Sequence, residues 1–343
     1  MKLSRDSNIE LLRIVATFFI VIVHCNGWLL QMWGVNCWSC GDCMVGIARI
    51  VVQSISRIGV VLFVLISGFY GIRPKLKSLV NLFTLLLFFY VGCYLLDCYI
   101  GDVSVSWKVL LKNCMAFSRE NWFINCYLFL VLLSPILNAF VETVDRRYLT
   151  IYLCVFIVCA FYWGLLRPSE YFYFNKGYSV TTMMLLYLVG RYMNLHLKGW
   201  VKDIKYGYLF LACLVSLLLS MVAFVVEIYS GITLTGYCSP FDVTYAVCFF
   251  WLFYRMPSFS NKFVNWAGKS CLACYIFHTC SPIIGWLAET NYSLFVGEPY
   301  WVYAAKMLLI IIGIFSVSIL LDKIRLLVFR PVINAAETIK LLN

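Results

Sequence analysis

Apolar stretches as long as a bilayer is thick follow one another along almost the whole chain, at about 9–30, 46–71, 79–100, 121–140, 149–166, 177–195, 206–228, 239–256, 264–288 and 301–321. A membrane-spanning helix needs about 20 mostly apolar residues. Lipid admits only helices and closed barrels, because every backbone polar group must be satisfied internally. These segments are too long and too evenly apolar for barrel strands, which alternate. The expectation is therefore an all-α polytopic membrane protein of about ten transmembrane helices. No Pro-, Gly- or Ser-rich linker separates the segments, so residues 1–343 read as one integral-membrane domain. Only 13% of residues are charged, where an ordinary soluble domain carries about 25%.

The basic residues alternate between the loops. With the N-terminus inside, Lys2, Arg5, Arg73, Lys75, Lys77, Arg146, Arg147, Arg191, Lys198, Lys202, Lys205, Arg255, Lys262, Lys323, Arg325, Arg330 and Lys340 fall on the inner side. The outer loops hold only Lys108, Lys112, Arg119, Arg167 and Lys176. This is the positive-inside pattern, and it puts both termini in the cytoplasm. The net charge of +11 is thus a topological signal, and nucleic acid is not among the expected partners. The first apolar segment is longer than a signal-peptide core and carries Arg13 and His24, so it reads as a retained helix.

Most of the 16 cysteines, such as Cys93, Cys154, Cys159, Cys213 and Cys248, lie inside spans, where Cys acts as a small apolar residue. Cys271 and Cys274 form a CxxC on a membrane helix with no second pair nearby. Cys37, Cys40 and Cys43 in the first outer loop leave three readings open: free thiols, a loop disulfide, or an incomplete metal site lacking a fourth ligand. No metal is assigned.

The first span carries the densest chemistry. Ser7-Asn8-Ile9-Glu10 is a capping-box pattern that predicts a helix from about Asn8. Arg13 and His24 are close to three full turns apart, so they share one face at an axial separation of about 16 Å. Glu10 lies on that face as well. Ionisable residues inside a span usually face a bundle interior or a wet cavity; the plainer alternative is an Arg and a His reaching the two headgroup layers. Further polar residues occur at Arg57 in the second span, Glu227 near the outer end of the seventh, Asp242 at the start of the eighth and His278 in the outer half of the ninth. With Arg13 near the inside and His24, Glu227, Asp242 and His278 toward the outside, the chain offers a polar path across the bilayer. Glu227 and Asp242 also read simply as polar helix ends. Arg73, Lys75 and Lys77, three cations in the first inner loop, suit either the phosphates of a cytoplasmic donor or retention of that loop inside.

These residues resemble a known family. NIELLRIVATFFIVIVHC, with Arg13 followed after ten residues by His24, resembles the opening helix of the acyltransferase family 3 integral-membrane O-acyltransferases. SRIGVVLFVLISGFYG with Arg57, NWFINCYLFLVLLSPILN with Trp122 near its start, YLVGRY and GKSCLACYIFH ending at His278 are similar to further helices of that family. Where some members carry RxxR in the first inner loop, this chain has Arg73-Pro74-Lys75-Leu76-Lys77. The resemblance implies a multi-pass protein of a bacterial cytoplasmic (inner) membrane. It would move an acyl group, often acetyl, from acyl-CoA (acetyl-CoA) entering from the cytoplasm to a hydroxyl of a cell-surface or exported glycan or a lipid-linked saccharide. No tightly bound cofactor is implied. His24 would be the general base, Arg13 a donor contact, and Arg57 a thioester or oxyanion contact. Arg73, Lys75 and Lys77 would meet the CoA phosphates. His278, Glu227 and Trp122 are further site candidates. The competing class is a transporter or flippase for a glycolipid or anionic solute.

Overall fold

The computed structural model describes residues 7–30, 43–101, 103–114 and 121–339. Its helices, in order, are α1 (Ser7–Val23, continued by a wide π turn His24–Trp28), α2 (Cys43–Ser56), α3 (Gly59–Tyr70), α4 (Leu76–Ile100), α5 (Trp107–Cys114), α6 (Trp122–Thr143), α7 (Arg146–Phe161), α8 (Val180–Tyr192), α9 (Lys198–Asp203), α10 (Tyr206–Ser230), α11 (Pro240–Arg255), α12 (Lys262–Gly268), α13 (Cys271–Thr279), α14 (Ser281–Gly297), α15 (Tyr300–Val328) and α16 (Arg330–Thr338). Cys37 and Cys40 lie outside the described residues, and the described cysteines, Cys43 included, are free thiols.

The all-α membrane class holds, and the expected count of about ten crossings is met only in part by helix length. Among the described residues seven helices are long and apolar enough to cross a bilayer, or eight if α13 and α14 form one bent crossing. The segments expected at 177–195 and 239–256 are helical but short. α11 has 16 residues, about 24 Å of rise against a hydrocarbon core of about 30 Å. The span expected at 264–288 is not one helix. α13 and α14 meet at a 75° bend, with Cys280 extended and Pro282 in the first turn of α14. Proline tolerates a helix start and not a helix interior, so the chain stops and restarts there.

α1 is the central helix. It packs against α2, α3, α11, α12, α13 and α15. Small residues allow the close crossings that van der Waals packing between membrane helices needs. A β-carbon on Gly59 would come within 2.8 Å of the Ala16 carbonyl in α1. Between α3 and α8 the fit is tighter: Gly68 lies against the Tyr187 carbonyl and Gly190 against that of Leu65.

The polar contacts gather at two ends of the bundle. At one, Ser7 Oγ donates to Asn265 and accepts from the Asn261 amide, while Asn8 donates to the Met256 carbonyl. The capping-box pattern thus sits at the helix start and also ties that start to the α11–α12 loop. Asp322, Arg325, Asn81 and Lys77 lie at this same end. At the other end are His24, His278, Asn121, Asn291 and Arg49.

Candidate active site

The π turn places His24 at the end of α1, with its Nδ1 3.0 Å from Nε2 of His278 on α13. His278 is fully buried, and its Nδ1 lies 2.9 Å from the Cys274 carbonyl. A carbonyl only accepts, so His278 carries its proton on Nδ1 and offers a lone pair at Nε2. His24 must then donate from Nδ1. The hydrogen-bond network, read this way, fixes both tautomers and leaves Nε2 of His24 as an unprotonated acceptor. His24 is half-buried, with Trp28 edge-on at 5.5 Å between ring centroids. The pairing was not visible in the sequence, where the two histidines are 254 residues apart and share only a depth.

Three helical turns away, Arg13 donates to Glu10 at 2.6 Å. Gly268 makes room for that carboxylate, since a β-carbon there would stand 2.6 Å from Glu10 Oε2. Arg13 lines a cavity of about 470 Å³ together with Phe63, Ser67, Asn81, Phe123, Tyr127 and Lys269. Its wall also includes Asp322 and Arg325. These two are consumed in structure: Arg325 donates to Asp322, Asn81 and Thr84, and Asp322 also accepts from Ser270. Lys269 is exposed, a cation that the sequence reading did not single out. At its far end the cavity reaches Phe123, whose ring is 4.7 Å from that of Tyr275. The Tyr275 ring in turn lies 5.7 Å from that of His278. A line of contacts thus runs from the cavity beside Arg13 through Phe123 and Tyr275 to His278 and its partner His24.

The remaining sequence candidates sit elsewhere. Arg57, at the α2–α3 junction, stacks over the Phe224 ring at 4.0 Å and lies 4.0 Å from Asp242. Its buried Nη1 makes no hydrogen bond among the described residues. These partners, Phe224 and Asp242, are separate from the His24–His278 pair. Asp242 accepts from Ser220 and from the Gly236 amide, and Glu227 accepts from Leu234 and Thr235. Both carboxylates order the α10–α11 connection. Trp122 stacks on Tyr237 at 5.5 Å and meets Tyr178 edge-on at 4.7 Å. Its neighbour Asn121 bonds Thr279 and Tyr275 on the helix that carries His278. Arg73, Lys75 and Lys77 do not line the cavity. Their loop is held by Tyr187, which accepts from the Ile72 amide and donates to Asn138, and Lys77 pairs with Glu337 of α16. The loop still leads directly into α4, whose Asn81 is a cavity residue.

Among the described residues no group of three or more His, Cys, Asp or Glu side chains is placed to hold a metal ion. No curated protein and no solved structure gives a significant match. The model of an integral-membrane acyltransferase family, described as an acyltransferase domain, matches residues 6–323. That range takes in all of α1, both histidines and the cavity lining apart from Arg325 and Leu326, and the chain belongs to acyltransferase family 3.

Proposed function

We propose that this protein is an O-acyltransferase. It moves an acyl group, acetyl in the simplest case, from cytoplasmic acyl-CoA to a hydroxyl of a surface or exported glycan or a lipid-linked sugar. The observation that carries the reading is the chain from the Cys274 carbonyl through His278 to His24, which leaves His24 Nε2 free to accept a proton. A base oriented by a second group that is itself oriented is the arrangement nucleophile activation requires.

In this reading the acyl-CoA arm enters the cavity from the end marked by Arg13 and Lys269, cations suited to its phosphates. The thioester advances toward Phe123 and Tyr275. His24 Nε2 takes the proton of the acceptor hydroxyl as its oxygen attacks the thioester carbonyl. The carbon–sulfur bond then breaks, the ester is formed, and the imidazolium returns the proton to the departing thiolate. His24 keeps its Nδ1 hydrogen bond to His278 throughout, so the transient charge meets an acceptor already in place. The uncommitted Nη1 of Arg57 is a donor for a substrate oxygen. The Trp122, Tyr178 and Tyr237 rings suit the apolar face of a sugar.

Membranes containing the protein should transfer label from acetyl-CoA to a glycan or lipid-linked sugar fraction. A transporter, which the broken α13–α14 helix would also suit, leaves no covalent label, and that result would overturn the proposal.

A further inference from the structure

The last carbonyls of a helix lack intrahelical partners, and at the end of α1 they belong to the residues that follow His24. The Leu29 amide closes the π turn on the His24 carbonyl at 2.9 Å. The next two carbonyls are taken by side chains from other helices. Asn291 of α14 donates to the Cys25 carbonyl at 2.8 Å, its amide aimed by a hydrogen bond from Tyr303. Arg49 of α2 donates to the Asn26 carbonyl at 2.6 Å. The Asn26 side chain answers by donating to the Arg49 carbonyl and to Gln53. Gly27 allows this approach, because a β-carbon there would press on the Gln53 amide at 3.0 Å.

Arg49 is fully buried, and its guanidinium lies 4.9 Å from the Phe295 ring centroid. Placing a cation in that position is costly, and a neutral donor would satisfy one carbonyl at less expense. What Arg supplies beyond a neutral donor is a rigid fork and a positive charge at the negative end of a helix dipole.

We propose that Arg49 is a positioning residue for His24. By clamping the Asn26 carbonyl from α2 it holds the wide turn in the one setting that points His24 Nδ1 at His278 and leaves Nε2 facing the acceptor. The catalytic consequence rests on the acyl-transfer reading above; the effect on His24 does not.

The test therefore has two readouts on the full-length protein in bilayers. The chain has three histidines, so ¹⁵N-histidine spectra can follow the tautomer of His24. The expected result is a single Nδ1–H form in the wild type and an averaged or Nε2–H form in Arg49→Gln. Turnover with labelled acetyl-CoA, counted per folded molecule, should fall about a hundredfold, the scale of a small misplacement at a reacting group. The Michaelis constant for acetyl-CoA should not change. In a His278→Gln background, where His24 has already lost its partner, Arg49→Gln should cost less than about threefold more, since coupled sites are not additive. Arg49→Lys keeps the charge and loses the fork, so it should insert normally and show a partial form of both effects. The clamp is overturned if His24 keeps its Nδ1–H form in Arg49→Lys and Arg49→Gln, or if Arg49→Gln costs the same factor with and without His278. Absence of label transfer in the wild type would sink the acyl-transfer reading alone, because the tautomer spectra still decide the clamp.

Discussion

The two ends of α1 treat buried polar groups in opposite ways. At the Arg13 end the groups are charged and paired, with Arg13 on Glu10 and Arg325 on Asp322, and a cavity opens beside them. Around His24 itself the hydrogen bonds run between rings, amides and carbonyls, and a buried cation beside it, Arg49, donates to a backbone oxygen. In the acyl-transfer reading proposed above, charge suits the end that attracts and releases an anionic donor, and directional bonds suit the end that presents a lone pair. On that reading one helix separates binding from chemistry by about three turns.

The comparison breaks most sharply at His24. His24→Ala and His24→Gln should both lower turnover by about a hundredfold to ten-thousandfold, the usual scale of general-base help, with the protein still inserted. Near-normal turnover in His24→Gln would remove the chemistry from this end. His278→Gln should cost less, on the order of tenfold to a hundredfold, since it loosens the base without removing it. The bond from His278 to His24 gives that smaller loss a physical cause; a larger loss than at His24 would move the base to α13. At the other end, Arg13→Gln and Lys269→Gln should raise the Michaelis constant for acyl-CoA several-fold and leave turnover at saturation nearly unchanged. A drop in saturated turnover instead would mean that the cavity end also shapes the transition state. The smallest effect belongs to Lys77. It pairs with Glu337 on the surface, and its ammonium holds that carboxyl below the usual carboxylate range. A folded-state value that is lowered contributes above the ordinary carboxylate pKa and is lost as pH falls through the depressed value. Lys77→Gln and acidification through that window should each loosen α16 to proteolysis with donor kinetics unchanged. A raised Michaelis constant in Lys77→Gln would return the first inner loop to the donor site.

The fold class and the helix that carries both Arg13 and His24 were legible because both are local, needing only segment length and composition. What was illegible depends on contacts between distant segments. Arg49 looked like one more ionisable residue in an apolar stretch, and nothing in its neighbourhood announces that Asn26 waits 23 residues upstream. Asn291 lies beyond the expected ninth span and reads as ordinary loop polarity until α14 carries it back to Cys25. Pro282 is the one local sign of the bend, set within an otherwise apolar run, and 264–288 read as one span without it. Glu227 and Asp242, conspicuous for their charge, bind their own connecting loop instead.

The long reach of these contacts also sets a schedule. Ser7 waits for Asn265, His24 for His278 and the Cys25 carbonyl for Asn291, partners 254 to 266 residues downstream. At roughly 5–20 residues per second of synthesis, α1 spends tens of seconds with these groups unpartnered, where each unsatisfied group is costly. The site is thus among the last parts of the protein to assemble. A chain stopped before α13 would leave His24 without His278 and the Cys25 carbonyl without Asn291, which makes prematurely ended copies ready targets for membrane quality control.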